Sequence, residues 1–371
     1  MTPSALLALF ALAFVVYTYI GYPVLIGILA RLAPIRTSPD ASWEPVVTSC
    51  TPVYDADSYV RAKLESLAAL DYPPDKLEFL IYSDGSTDGT DALVEKLASS
   101  DPRIRFIRAK ERRGKPTAVN AMRKAARGEV LLMTDIRQLL VPGALRALLR
   151  ALADPRVACV SGNLVLQGAA GAGAYWRYET WIRRQEARFR GMVGVTGPIY
   201  AIRKNDLAEL PEDVILDDMW VPMRLRLEGR TLLFAEDAVA TDDAFGDDRE
   251  FGRKVRTLAG NYQLFGLLPH LLSPLSPSWF EIASHKVARL LCPWALVVLA
   301  VTSTLSAALE PGRLRPVMIA LAAGQALFYL GSLLGSSAGK LGTLARTFVV
   351  LNAAAVVGLW RTLRGTQRVT W

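Results

Sequence analysis

Residues 2–30 contain no charged side chain, and the stretch 6–29 within them is long enough to cross a bilayer as one helix. Such a run must be covered by lipid or by a wholly apolar core. It is a poor signal peptide, because it has no basic leading region and its apolar stretch is too long. Arg31 and Arg36 follow it, so the positive-inside rule places the N-terminus outside and the next segment in the cytosol. Three more apolar runs stand near the other end of the chain, at about 290–309, 317–334 and 347–360, whereas 40–265 has the composition of a soluble domain. Four buried core helices clustered at two ends would make an odd globular core. The expected plan is therefore a transmembrane helix in 1–36, a cytosolic domain in 40–265, and a C-terminal membrane region in 270–371 with about three hydrophobic helices. Three crossings after a cytosolic domain would put Arg361, Arg364 and Arg368 outside, against the charge rule. One of those runs is read as re-entrant or interfacial.

The soluble part alternates strand and helix. Apolar segments at 46–52, 77–83, 103–109 and 129–135 read as strands, and the second shows the weak alternation of a strand covered on both faces. Amphipathic segments at 58–70, 91–99, 116–126 and 142–153 read as helices between them. This is an α/β pattern with a mostly parallel sheet, whose ligands bind beyond the C-terminal strand ends. Three carboxylates fall there: Asp55 after Pro52-Val53-Tyr54, Asp84 after the second strand, and Asp135 after the fourth. Ser86, Thr87 and Asp88 can cap the next helix, but Asp84 precedes the cap and is free to meet a base, a ribose or a metal. A rim of carboxylates alone would repel phosphate. Lys115 supplies a cation, in a Gly-Lys pair that lacks the spacing of a nucleotide-binding P-loop.

Charge and rare residues narrow the class. Lysine and arginine number 43 against 35 acidic residues, a net +8 that suits a membrane surface or a phosphate-rich ligand; no nucleic-acid recognition motif accompanies it. With only two histidines, His270 and His285, the chain is a poor candidate for a histidine-based metal centre or a Ser-His-Asp triad. Cys50, Cys159 and Cys292 lie far apart in apolar surroundings and read as buried free thiols.

These residues resemble family 2 glycosyltransferases of the membrane-bound bacterial branch, which carry a GT-A (Rossmann-like) fold. The resemblance rests on "TPVYD", "LIYSDGSTDGT", "GKPTAVN", "MTD", "ILDDMWVPMRLRLEG", "EFGRKVRTLAGNYQLF" and "SHKVARLLCP", in order. It implies inverting transfer of a hexosyl-type sugar from a nucleotide sugar, most simply UDP-linked, in cell-envelope or exopolysaccharide assembly. Pro52, Tyr54, Asp55, Asp84, Lys115, Asp135 and Arg137 match its donor-binding positions. Asp135 matches the first residue of the Asp-x-Asp motif that holds Mg²⁺ or Mn²⁺ on the diphosphate. Asp218 matches the catalytic base, with Asp217 shaping the site. Gly197 leaves room for an acceptor sugar, and Arg253 and Arg256 match cations for the pyrophosphate or acceptor. The plain alternatives are a capping role for the Asp217-Asp218 pair and a solvated basic face for Arg249, Arg253 and Arg256.

Two departures matter. The motif reads Asp135-Ile136-Arg137, so the arginine lowers metal affinity or takes over part of the neutralisation. Polymer-making members carry Gln-x-x-Arg-Trp where this chain has Arg253-Lys254-Val255-Arg256-Thr257, which argues against processive synthesis; "RGTQRVTW" resembles a gating segment and pulls the other way. The segment 175–190 mixes aromatic and arginine residues and reads as an interfacial helix or, equally, as a helix packed on the sheet. The leading expectation is single-sugar addition to a polyprenyl-linked or saccharide acceptor at the inner leaflet of a bacterial cytoplasmic membrane, by a multi-pass protein that would have to oligomerise to form a wide channel. The alternatives are a processive polysaccharide synthase that secretes through its membrane helices, and a catalytically silent scaffold relative.

Overall fold

The structure, a computed structural model, describes residues 1–167, 172–243, 247–367 and 369, with the side chains of 172–174 and 247–250 excepted. Among the described residues the part between the apolar ends is built on eight strands: β1 (Val47–Val53), β2 (Leu77–Ser83), β3 (Ile104–Arg108), β4 (Val130–Thr134), β5 (Leu139–Leu140), β6 (Val157–Gln167), β7 (Ile199–Arg203) and β8 (Thr231–Asp243). They form one sheet in the order β3-β2-β1-β4-β7-β6-β8-β5. The first four are parallel, and β7 then joins β4 and β6 antiparallel, while β6 and β8 run parallel. This is the mixed, mostly parallel α/β sheet expected from the strand-helix alternation.

Every residue of β1 and β2 is buried. Their side chains alternate between two cores: Phe79 and Ile81 join the cluster on one face, Leu80 and Tyr82 the cluster on the other. Covering both faces explains the near-continuous apolar runs. Each fully buried large side chain of this kind contributes about 1.5–3 kcal/mol. The three cysteines are buried and unpaired, as their surroundings suggested.

Among the described residues three stretches are long and apolar enough to cross a membrane: Pro3–Leu32, Trp279–Leu309 and Gly312–Leu363. The last is divided at Gly335–Ala338 into the helices Arg315–Leu334 and Gly339–Leu363, so the final helix starts earlier than the apolar run at 347–360. The first and second stretches meet through Ala5, Ala8 and Ala11, whose small side chains let the backbones approach. Ser306 donates to Ser4 at 2.8 Å across that seam. The last helix ends on the soluble part. A β carbon at Gly358 would stand 2.9 Å from the Ala259 amide nitrogen, and Thr362 Oγ1 donates to the Ala259 carbonyl at 3.1 Å. Arg361 and Arg364 are therefore held beside the soluble domain; Arg368 lies outside the described residues.

The helix Ala172–Phe189 packs between the first apolar stretch and the sheet. Ile182 packs on Tyr22 and Ile26 of the first apolar stretch, while Trp176 Nε1 donates to the Leu164 carbonyl of β6 at 2.6 Å. Glu186 fixes the contact from within. Its Oε1 accepts from Tyr22 OH at 2.6 Å and pairs with His285 Nδ1 at 2.6 Å, all three residues being buried.

Candidate active site

The polar rim forms because parallel strands end together and their loops turn into helices. After β1 the chain passes Tyr54 and reaches Asp55, which has φ 43°, the one positive value among the described non-glycine residues. Asp55 Oδ1 accepts from the Thr87 amide at 2.8 Å, and Ser86 Oγ accepts from the Asp55 amide at 3.1 Å. Ser86 and Thr87 thus tie two loops together rather than capping a helix. Asp88 does the capping work by accepting from the Thr90 amide at 2.9 Å, at the head of the helix Thr90–Ala98. The Arg112 guanidinium lies over the Tyr54 ring, 3.6 Å from its centroid.

Asp84 takes a different post from the one its sequence position suggested. It is fully buried, and its two oxygens accept from the amides of Arg113 and Gly114, each at 2.8 Å. Gly114, at φ 93°, then turns the chain into the helix Lys115–Ala125 and aims Lys115 inward. Asp84 therefore positions the loop that delivers the cation.

Eight of the residues singled out from sequence line one cleft of ≈ 330 Å³: Pro52, Lys115, Asp135, Arg137, Asp217, Asp218, Arg253 and Arg256. Tyr54, Asp55 and Asp84 do not line it. Gly197 stands directly behind it, since a β carbon there would lie 2.6 Å from Asp218 Oδ2. Lys115 Nζ is 2.9 Å from Asp135 Oδ1 and 3.4 Å from Asp217 Oδ2. Burial would lower the lysine, but Asp135, Asp217 and Asp218 hold it well above its ordinary value. Asp135 is held below the usual carboxylate range by Lys115, against the pull of burial. Asp218 goes the other way: burial first, and then the neighbouring Asp217, push it up to about 6. Both carboxylates stand at the head of the helix Asp217–Leu227.

Two residues of the site were not foreseen. Lys63, on the helix Asp57–Ala68, is fully buried. Its Nζ donates to Thr134 Oγ1 and to the Gln138 carbonyl, both at 2.6 Å, and so pins the two ends of the loop that carries Asp135 and Arg137. Burial brings it down to about 7, partly offset by Asp135. Its signal was legible, because Lys63 falls in the apolar stripe Val60-Lys63-Leu64-Leu67. Asp242, near the end of β8, accepts from Arg137 Nη2 at 2.7 Å and from Gln138 Nε2 at 2.5 Å. Nothing in its local sequence marks it.

The helix Asp247–Leu267 closes the cleft. Arg253 and Arg256 line it, and Arg256 Nη2 donates to the Ile215 carbonyl at 3.2 Å and to that of Val369 at 3.4 Å. The Arg249 side chain lies outside the described residues.

The arrangement matches known proteins in sequence and in fold. The family model described as glycosyl transferase family 2 matches residues 48–210. An N-acetylglucosaminyltransferase of Bradyrhizobium elkanii is 30% identical over 143 residues, 38% of this chain and 73% of that protein. A hyaluronan synthase of Pasteurella multocida is 34% identical over 134 residues, 36% of this chain and 13% of the relative's own length. The first relatives matched are thus longer proteins, of which this chain spans less than half. Among solved structures, a mannosyltransferase of Pyrobaculum calidifontis in complex with GDP-Man and Mn²⁺ superposes with a TM-score of 0.78 at 24% identity, covering 96% of this chain and 99% of that one.

Proposed function

The chain belongs to glycosyltransferase family 2, and from that premise we propose that it moves a sugar from a nucleoside diphosphate sugar onto an acceptor hydroxyl, with Asp218 as base. The observation that carries the reading is the cleft itself. A carboxylate pushed up to about 6 faces the same ≈ 330 Å³ space as Lys115, Arg137, Arg253 and Arg256. The acceptor oxygen forms a bond to the anomeric carbon while the bond from that carbon to the diphosphate oxygen breaks, leaving its electron pair on the diphosphate. The hydroxyl proton passes to Asp218. Lys115, Arg253 and Arg256 meet the charge that develops on the leaving group, in a site where low dielectric strengthens each contact. In-line displacement of this kind inverts the anomeric centre.

A UDP-sugar is the first donor to try. GDP-mannose stands beside it, because the superposing mannosyltransferase was solved with that donor. The acceptor is taken to be lipid-linked or a growing saccharide at the cytosolic face of a bacterial inner membrane. Support comes from Arg31 and Arg36 after the first apolar stretch, and from the packing of the helix Ala172–Phe189 on that stretch. The return of the last helix to the soluble part supports an interfacial or re-entrant placement for it. Similarity to a hyaluronan synthase favours a second reading, repeated transfer to a polymer. Thr257, which lines the cleft where polymer synthases place tryptophan, speaks against it.

Mg²⁺ or Mn²⁺ at Asp135 is supported by the family and fits this chain badly. Lys115 Nζ already sits between Asp135 and Asp217, and position 137 brings an arginine to the cleft instead of a second carboxylate. No step above needs one.

The test is to offer membranes containing the protein a panel of mass-tagged nucleotide sugars. The expected product is an acceptor heavier by one sugar, formed by wild type and lost in Asp218→Asn. A ladder of additions would favour the polymer reading. No transfer and no donor hydrolysis with any sugar would refute the proposal and favour a silent scaffold.

A further inference from the structure

The cleft brings its own cations to the place where a diphosphate would sit. Four cationic side chains, Lys115, Arg137, Arg253 and Arg256, line it against three carboxylates, Asp135, Asp217 and Asp218. Divalent cations of the magnesium kind need several oxygens at about 2.0–2.1 Å, usually one or two carboxylates plus the phosphates themselves. Here the near oxygen of Asp135 is 2.9 Å from an ammonium, and the same ammonium is 3.4 Å from Asp217. An ion entering that seat would have to displace Lys115 and then stand beside it and Arg137, a repulsive arrangement in a water-poor site.

Arg137 is held ready for another role. Its Nη2 bonds Asp242 at 2.7 Å, and Asp242, buried and outside the cleft lining, holds the side chain that lines the cleft. Lys63 clamps the loop beneath it through Thr134 and Gln138. A guanidinium set rigidly on a clamped loop can fork two phosphate oxygens, which a flexible lysine at that position could not do as well.

We infer that this chain binds the diphosphate of its donor without a divalent cation, with Lys115 occupying the metal's seat between Asp135 and Asp217 and Arg137 serving as the phosphate fork. The inference rests on the transferase reading given above and concerns how that same site is charged. It makes Arg137 and Lys115 a joined pair: one ends the diphosphate's negative charge, the other keeps Asp135 and Asp217 from repelling it.

The experiment is calorimetric titration of the full-length protein in detergent, with UDP, GDP, ADP and CDP as probes, first in EDTA and then in Mn²⁺. At least one diphosphate is expected to bind in EDTA with a Kd within about threefold of its value in Mn²⁺, and Arg137→Gln is expected to weaken it about tenfold or more. Since Arg137→Gln leaves Asp242 without its cation, the double variant Arg137→Gln, Asp242→Asn removes both charges; it is expected to show the same loss while unfolding at the wild-type temperature. Binding that requires Mn²⁺ overturns the inference and leaves the transferase reading intact. Binding by the double variant as tight as wild type overturns it as well. Absence of binding by every diphosphate in both conditions overturns the inference and the transferase reading together.

Discussion

Asp218→Asn separates function from stability at one residue. The change keeps the size of the side chain and removes its ability to take a proton. General-base catalysis of this kind is worth about 10²–10⁴ in rate, or roughly 3–5 kcal/mol of barrier. The same substitution should make the fold firmer. Burial and Asp217 raise Asp218 from 3.8 to about 6. A carboxyl raised on folding contributes its full stability below about pH 4 and loses that contribution as the pH climbs through 6. At pH 7 the ionised group therefore costs the native state on the order of 1–3 kcal/mol, which asparagine would return as a rise of a few degrees in unfolding temperature. The pH profile gives a third handle. With a pKa of about 6 roughly a tenth of the base is ionised at pH 5 and roughly nine tenths at pH 7, so kcat/KM should rise about tenfold between them. The assays are nucleoside diphosphate release across about pH 4.5–8 and thermal unfolding in the same detergent. A variant that stays active, or that loses activity only by unfolding at lower temperature, would refute the role. So would a wild-type profile flat down to about pH 5, the signature of an unshifted carboxylate.

Three further perturbations follow from single contacts. Gly197→Ala should cut turnover by about tenfold or more with the fold kept, since its β carbon would lie 2.6 Å from Asp218 Oδ2; unchanged kcat would show that the base is not held there. Lys63→Met should lower unfolding stability by about 1–3 kcal/mol and weaken diphosphate binding, because Thr134 and the Gln138 carbonyl lose their buried donor; calorimetry and thermal unfolding read both. Tyr22→Phe should cost about 1–3 kcal/mol by removing the buried bond to Glu186, with activity per folded molecule unchanged; an unaltered unfolding temperature would contradict that account of the seam.

Some of this was legible in the residues alone. Strands β1, β2 and β4 could be read because burial on both faces leaves continuous apolar runs, and the ends of those strands located Asp55, Asp84 and Asp135. The second half of the sheet could not. β5 is two residues long, and β6 and β8 run from buried starts to partly exposed ends, so they lack one clear period. The acidic rim was also read too evenly. Asp84 looked like a ligand, but its partners are backbone amides some thirty residues away, and amide positions leave no mark in sequence. Asp242 was invisible for the same reason: its importance comes from Arg137, which lies on another loop. Lys63 was visible in principle. A lysine in the middle of an apolar helical stripe is costly to bury, and that mismatch marks a site residue.

The central claim is spatial, that the donor's diphosphate lies between Asp218 and the cations across the ≈ 330 Å³ cleft. The most direct measurement is an experimental structure of the full chain with its nucleoside diphosphate bound. The account predicts the terminal phosphate within hydrogen-bonding reach of Lys115 and an arginine of the cleft, with Asp218 facing it across space for one sugar. A nucleotide seated elsewhere, for instance in the basic pocket at Arg127, Arg203 and Arg230, would contradict it.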